Sequence, residues 1–319
     1  MTMDVTRIAV PFRMQPGLRR PAPGSTALTP SAPNGRHFRE KVAVLAAFAD
    51  QALLAVPAFD AAPALAAIAA EAALAPNAAF VLNRATGDCA APLIGIVFID
   101  GRVEGSADAA VIDMLNALPP SRRVAALLSL AFEEDFAVID ADAHIPWLAV
   151  CLPSRWAPEQ KIGKHLAEVH ASVADNAMLV AASGQLARLV TGVDRWERDV
   201  WTISADPRLH QHPSRSAASW PTLGDAEGLV AQDSFRHEHQ SFLPVPGAAQ
   251  AVFTIHIGSE PLDLAMAVPE TARRVHDSLA SMSPAVLAYR GLTPARDRLL
   301  AWLATRAGAT SMAPNAPPT

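Results

Sequence analysis

Apolar and polar positions alternate with three different periods along the chain, and the changes of period mark its elements. Residues from about Pro11 to Gly35 have no period at all. Pro, Gly and Ser dominate there, and the stretch reads as extended surface coil. Helical spacing starts near Phe38 and runs through an Ala-rich segment to about Ala75, with breaks at Pro57 and Pro63. Alanine is the strongest helix former, so two or three short, closely packed helices are expected. Short strand-like runs follow at 80–83 and 94–98, with Gly87 and Gly101 as turns. Helices are expected over 107–118, stopped by Pro119 and Pro120, and over 122–130, which runs into Glu133, Glu134 and Asp135. Residues 136–139 and 147–152 read as a hairpin. Helices are expected next over 158–170, with Pro158 in the first turn where its missing N–H costs nothing, and over 177–190. Residues 196–204 alternate like a strand. Two more strands, 235–242 and 251–257, pair across Pro244, Val245, Pro246 and Gly247, and helices over 271–281 and 294–306 close the chain. The order helices, strands, helices, strands, helices predicts an α+β fold with an antiparallel sheet. An extended segment (1–37), a single domain (38–306) and a disordered tail (307–319) are expected.

Composition narrows the function. With 319 residues, 51% of them hydrophobic and 18% charged, the chain can bury a sizeable core. A net charge of −5 and the lack of a Lys/Arg block argue against nucleic acid or an anionic membrane as partner. Cys89 and Cys151 are too few for a disulfide framework or an iron–sulfur cluster. The most apolar stretch, 42–82, is interrupted by Asp50, Pro57, Asp60, Pro63, Glu71 and Pro76, so none of its pieces approaches the roughly 20 apolar residues of a membrane span. Asp4, Arg7 and Pro11 do not make a secretory signal, and the cytoplasm is the expected compartment.

Nucleotide loops, the nucleophile elbow and Cys-x-x-Cys are all missing. His165 and His170 are five apart, about 140° around a helix, which excludes a zinc-protease helix. Two His-x-His pairs remain, His210/His212 and His237/His239. In an extended strand each pair would share a face and could grip a metal, while in a loop such histidines are more often solvated. On a regular strand Arg236 and Glu238 share one face with Ser234 and Gln240, and His237 and His239 take the other.

The run FEEDFAVIDADAHIPWLAVCLPSRWAPEQKIGKHLAEVH, residues 132–170, resembles the central signature of the haem-dependent oxidative N-demethylase family. The matching positions are Cys151, Pro153, Ser154, Arg155 and Trp156 at the end of one strand, then Lys161, Gly163 and His170. Arg198 and Trp201, then Leu209 and His210, then the run from Phe235 to Phe242, and finally Tyr289, Arg290 and Gly291 follow in the family's order. Departures are Leu152 for an aromatic, Val200 for Asn, and His239 and Ser241 within a usual Glu-Arg-Gln-Thr. The resemblance implies a PAS-like antiparallel sheet holding haem b, with oxidative N-demethylation of a small secondary or tertiary amine by O2 and electrons from a separate reductase. It implies His170 as the axial ligand, with Cys151 and His210 as alternatives. Arg155 and Lys161 would meet the propionates, Trp156 and Trp201 would wall the macrocycle, and Glu238, with Arg236 beside it, would hold the protonated amine. A non-catalytic haem sensor or carrier is the alternative, and a metal-dependent hydrolase built on His210, His237 and His239 is a third reading.

Overall fold

A computed structural model describes residues 3–216, 220 and 233–308. After a Pro-rich segment come helix α1 (Arg36–Ala52), strand β1 (Leu53–Ala55) and helix α2 (Ala62–Ala72). A small antiparallel sheet of β2 (Val81–Leu82), β3 (Cys89–Ala91), β4 (Ile96–Ile99) and β5 (Arg102–Gly105) follows. Helices α3 (Ala109–Ala117) and α4 (Pro120–Ala131) lead to β6 (Asp135–Asp140) and β7 (Trp147–Ala149). Three short helices, α5 (Leu166–His170), α6 (Ala177–Ala181) and α7 (Ser183–Val190), precede β8 (Trp196–Ser204). The long hairpin β9 (Ser234–Val245) and β10 (Gln250–Pro261) follows, and the chain closes on helices that include Pro269–Ala280 and Arg296–Gly308. The main sheet has the order β1-β7-β6-β10-β9-β8, antiparallel throughout. The fold is therefore α+β with antiparallel sheets and helices at both ends, as the pattern predicts.

Alternation along the strands sorts the core into layers. Phe136 and Val138 of β6 join one cluster with Val44, Leu45, Ile68 and Leu127 from the N-terminal helices. Ala137 and Ile139 join another with Leu166, Ala187 and Val190 from α5 and α7. The sheet is thus covered on both sides, and a third cluster, around Trp201, Phe235 and Trp302, ties the closing helices to the β8–β9 edge.

Several expectations need correction. The helix expected over 158–170 is only a 3-10 turn at Pro158–Gln160 followed by α5. Gly163 takes a left-handed φ of 72° and donates to the Ile145 carbonyl, Ile145 donates to the Lys164 carbonyl, and His165 bridges to His144. This strand-like pairing holds the segment out of a helix until the His165 Nδ1 caps Ala167 N–H at 3.0 Å. The helix expected over 177–190 is parted at Ala182 into α6 and α7. Pro244 and Val245 belong to β9, and the hairpin turns over 246–249 instead. The small sheet also contains β3 and β5, which the pattern did not reveal. Ala27 and Leu28 are buried, so the segment from Pro11 to Gly35 is not surface coil throughout. The last helix continues to Gly308; the rest of the expected tail lies outside the described residues.

A buried cation ties α1 to the sheet. Lys41 is fully buried, 3.2 Å from Asp135, and its Nζ donates to the carbonyls of Phe132 at 3.0 Å and Glu134 at 2.5 Å. Removing one partner of a buried pair strands the other charge, at about 3–5 kcal/mol. Lys41→Met is therefore expected to lower unfolding free energy by about that amount. Urea denaturation of the two proteins checks it, and an unchanged midpoint would show that the pair does not hold α1 in place.

Candidate functional site

The register of β8 against β9 builds the polar centre of one sheet face. Arg198 lies opposite Gln240, and Val200 lies opposite Glu238. Arg198 Nε donates to Gln240 Oε1 at 2.5 Å, and Gln240 Nε2 donates to Glu238 Oε2 at 2.5 Å. Burial pulls the Arg198 pKa below the usual guanidinium range, against the opposing effect of Glu238. Arg290, after the short helix Pro284–Tyr289, feels the same carboxylate; burial draws its pKa down to about 10, with Tyr289 and Glu238 opposing. Arg290 also donates to the Trp201 carbonyl and lies 4.6 Å over the Phe12 ring. Glu238 thus sits among cations, with one oxygen engaged by Gln240.

His170 ends α5 near this centre. Its Nδ1 is buried and has no hydrogen-bond partner among the described residues. Burial, then the positive charges of Arg198 and Lys161, lower its pKa to about 4. The ring is therefore neutral at pH 7. Lys161 is half-buried and donates to the Val169 carbonyl at 3.3 Å; burial and Lys164 lower its pKa. Trp156 packs against two of the core clusters, one of which Ile162 and Val169 also flank.

The other residues singled out in the sequence are placed differently. Arg155 has a left-handed φ of 62°, an exposed side chain, and an Nη1 3.4 Å from the Arg290 carbonyl. Its guanidinium lies over Gly291, where an added Cβ would stand 2.5 Å from Nη1. Arg236 is buried and fully engaged. It donates to Ser154 Oγ at 2.9 Å and to the carbonyls of Arg208 at 3.1 Å, Leu209 at 2.8 Å and Leu152 at 3.4 Å. Burial lowers its pKa to about 10, so it remains charged at pH 7. Trp201 stacks on Phe235 at 5.9 Å and belongs to the cluster under the closing helices, on the face alternation sets away from Arg198.

Of the alternative ligands, Cys151 is fully buried, and burial with the nearby Asp135 carboxylate pushes its pKa up to about 12, so it stays a thiol. His210 has both nitrogens occupied, Nδ1 at 2.7 Å from the Cys151 carbonyl and Nε2 at 3.0 Å from Arg215 Nε. His212 pairs with Glu159 at 3.1 Å and His239 with Glu197 at 3.1 Å. His210, His237 and His239 are not among the groups close enough to share a metal, which among the described residues comprise His37, Glu133 and His256 alone. A cavity of roughly 210 Å3 lies at that group. Small-molecule sites occupy about 300–1,000 Å3, so it suits an ion with water rather than a macrocycle.

A haem needs an unprotonated axial ligand, cations for its carboxylates and apolar walls. The buried, unpartnered nitrogen of His170, the neighbouring cations and the Trp156 packing fit those needs. The arrangement defines an antiparallel-sheet protein with a neutral, buried imidazole close to a carboxylate ringed by cations. Over residues 102–300, more than half its length, the chain matches the family described as haem-dependent oxidative N-demethylase, alpha subunit-like. It belongs to that family. None of the curated proteins compared matches it. The family description makes it part of a haem-dependent oxidative enzyme, and no described helix is long and apolar enough to cross a membrane.

Sequence reasoning took up Glu238 and His170 but left Arg198, Gln240 and Arg290 without roles. Arg198 and Arg290 stand in the matched motifs, and pairing β8 with β9 would have brought Arg198 to Gln240.

The low pKa of His170 has a consequence for stability. The unfolded chain takes up this proton near pH 6.5, the haem-free fold only near pH 4. Between those values the unfolded state binds more protons, so stability rises with pH, by at most about 1.4 kcal/mol per pH unit for one group. Urea titrations of haem-free protein from pH 4.5 to 7 are expected to show this slope, and His170→Gln to reduce it. An equal slope in both proteins would mean that the ring is already protonated in the fold.

Proposed function

We propose that this chain is the haem-binding subunit of an oxygenase that removes a methyl group from a small secondary or tertiary amine. The observation that carries the proposal is the buried His170 nitrogen, which has no hydrogen-bond partner among the described residues, on a ring held neutral beside Arg198 and Lys161. His170 would hold the haem iron, and Lys161 and Arg155 would meet the propionates, with Trp156 against the macrocycle. The strand order β7-β6-β10-β9-β8, with helices inserted between β7 and β8, supports a PAS-like core.

When bound, haem b supplies the activation of O2 for oxidation of an N-methyl carbon, with electrons from a separate reductase. The chain's residues do the rest. Glu238 attracts a protonated amine, and its Gln240 bond fixes the carboxylate plane while leaving the other oxygen for an N–H donor. Arg198, Arg236 and Arg290 surround that carboxylate with positive charge. Arg236 positions the site rather than touching the amine, because its donors are committed to loop carbonyls and Ser154.

Visible spectra of protein expressed with haem precursor test the first half of the proposal. A Soret band whose reduced carbon-monoxide form is that of a histidine-ligated haem is expected, and His170→Ala is expected to abolish or shift it. A strongly red-shifted carbon-monoxide band would move the ligand to Cys151, and no Soret band at all would end the haem reading. For the amine, a charge-assisted hydrogen bond contributes about 1.5–3 kcal/mol. Glu238→Gln is accordingly expected to raise KM about tenfold to a hundredfold with the Soret band unchanged. An unaltered KM would remove Glu238 from the substrate site.

A further inference from the structure

The sheet face turned away from Glu238 carries a second cluster that the proposed reaction does not use. His37 in the first turn of α1, Glu133 in the turn between α4 and β6, and His256 of β10 converge on one wall of the 210 Å3 cavity. Nε2 of His256 stands 3.0 Å, and Nδ1 of His37 3.5 Å, from the same Glu133 oxygen, Oε2. The ligand atoms of all three lie within 4.8 Å of one another. Donors bound to a tetrahedral zinc ion at 2.0–2.2 Å would stand about 3.4 Å apart, so little movement is required.

With neutral rings, one contact of this cluster has no hydrogen to share. Nε2 of His37 is 2.7 Å from the Ile257 carbonyl, which can only accept, so that nitrogen carries the hydrogen. In the neutral ring Nδ1 is then a bare lone pair facing a carboxylate, with no proton between them. A cation placed between the lone pair and the carboxylate converts repulsion into two bonds. The Nε2–H bond to Ile257 also fixes the ring as metal-binding histidines usually are fixed, through the second nitrogen. Nδ1 of the almost fully buried His256 has no hydrogen-bond partner among the described residues. The cavity leaves room for water to complete a coordination shell.

We propose that His37, Glu133 and His256 bind a divalent transition-metal ion of the Zn2+ class, at a site distinct from the haem. Two imidazoles and a carboxylate are a zinc-type donor set, and three protein ligands leave a position open to the cavity. The ion would tie α1, the α4–β6 turn and β10 together.

The test uses the full-length, haem-loaded protein, stripped with EDTA, titrated with ZnCl2 and assayed for zinc after desalting. One zinc per chain is expected. His37→Gln and His256→Gln are each expected to weaken binding by at least about tenfold with the Soret band unchanged. The double exchange His210→Gln with His212→Gln is expected to retain zinc. X-ray absorption at the zinc edge of the unaltered protein is expected to show nitrogen and oxygen scattering with imidazole features and no sulfur, and this arm needs no variant to fold. Failure of the unaltered protein to retain zinc, zinc retention unaffected by both single exchanges, or sulfur in the shell would overturn the proposal.

Discussion

The register of β9 against β10 decides where each functional side chain stands. Twelve residues of each strand are paired, from Ser234 opposite Pro261 to Val245 opposite Gln250. Successive side chains leave opposite faces, so Glu238 and Gln240 go to one side while His237, His239 and His256 go to the other. A slip of one residue would exchange the two sets and leave both polar centres incomplete. The turn over 246–249 pins the register, with Gly247 at φ 78° where a side chain would be strained. Gly258 makes a second demand: a Cβ there would stand 2.0 Å from the His237 ring, so the hairpin tolerates that imidazole only opposite glycine.

Two buried cations transmit this register to the rest of the molecule. Lys41 fastens α1 to the start of β6 through Asp135 and two carbonyls, while Asp135 also accepts from Leu152 N–H at 2.6 Å. Arg236 fastens β9 to the segments at 152–154 and 208–209. Both spread their charge over carbonyl oxygens, which makes them struts between segments distant in sequence. The loop that Arg236 holds continues into Arg155, Trp156 and Lys161, so a change at Arg236 would reach the haem-side residues through the backbone.

The order of elements, the long strands and the closing helices were legible because their periods are sustained over many residues. The α5 region was not. Residues 158–170 have helical composition, yet Gly163 and the pairing of 163–165 with 144–145 take the segment into a turn, and that contact is tertiary. Arg236 shows the opposite failure. Its position on the polar face with Glu238 was readable, but its commitment to carbonyls was not, since those belong to loops 27 and more residues away. His37, Glu133 and His256 are scattered over three elements, two of them 123 residues apart, with no spacing to signal them. His170 stood out only through the family motif; its protonation state comes from burial and from Arg198, a neighbour that only folding supplies.

Burial also separates the two candidate ligands by chemistry. It opposes charge on either side chain, but an axial imidazole binds in its neutral form, whereas a thiol must first lose a proton. The same desolvation therefore prepares His170, whose pKa falls to about 4, and disables Cys151, whose pKa rises to about 12. Arg198 and Lys161 add to this by opposing a proton on His170, and Asp135 opposes a negative charge on Cys151, with Lys41 and the Ser129 hydrogen bond acting the other way. Thiolate ligation would therefore rest on bound iron to draw the proton from sulfur, because Lys41, the cation that acts there, is already held by Asp135 and two carbonyls. Of the two candidates, only His170 already stands in the protonation state in which it would bind iron.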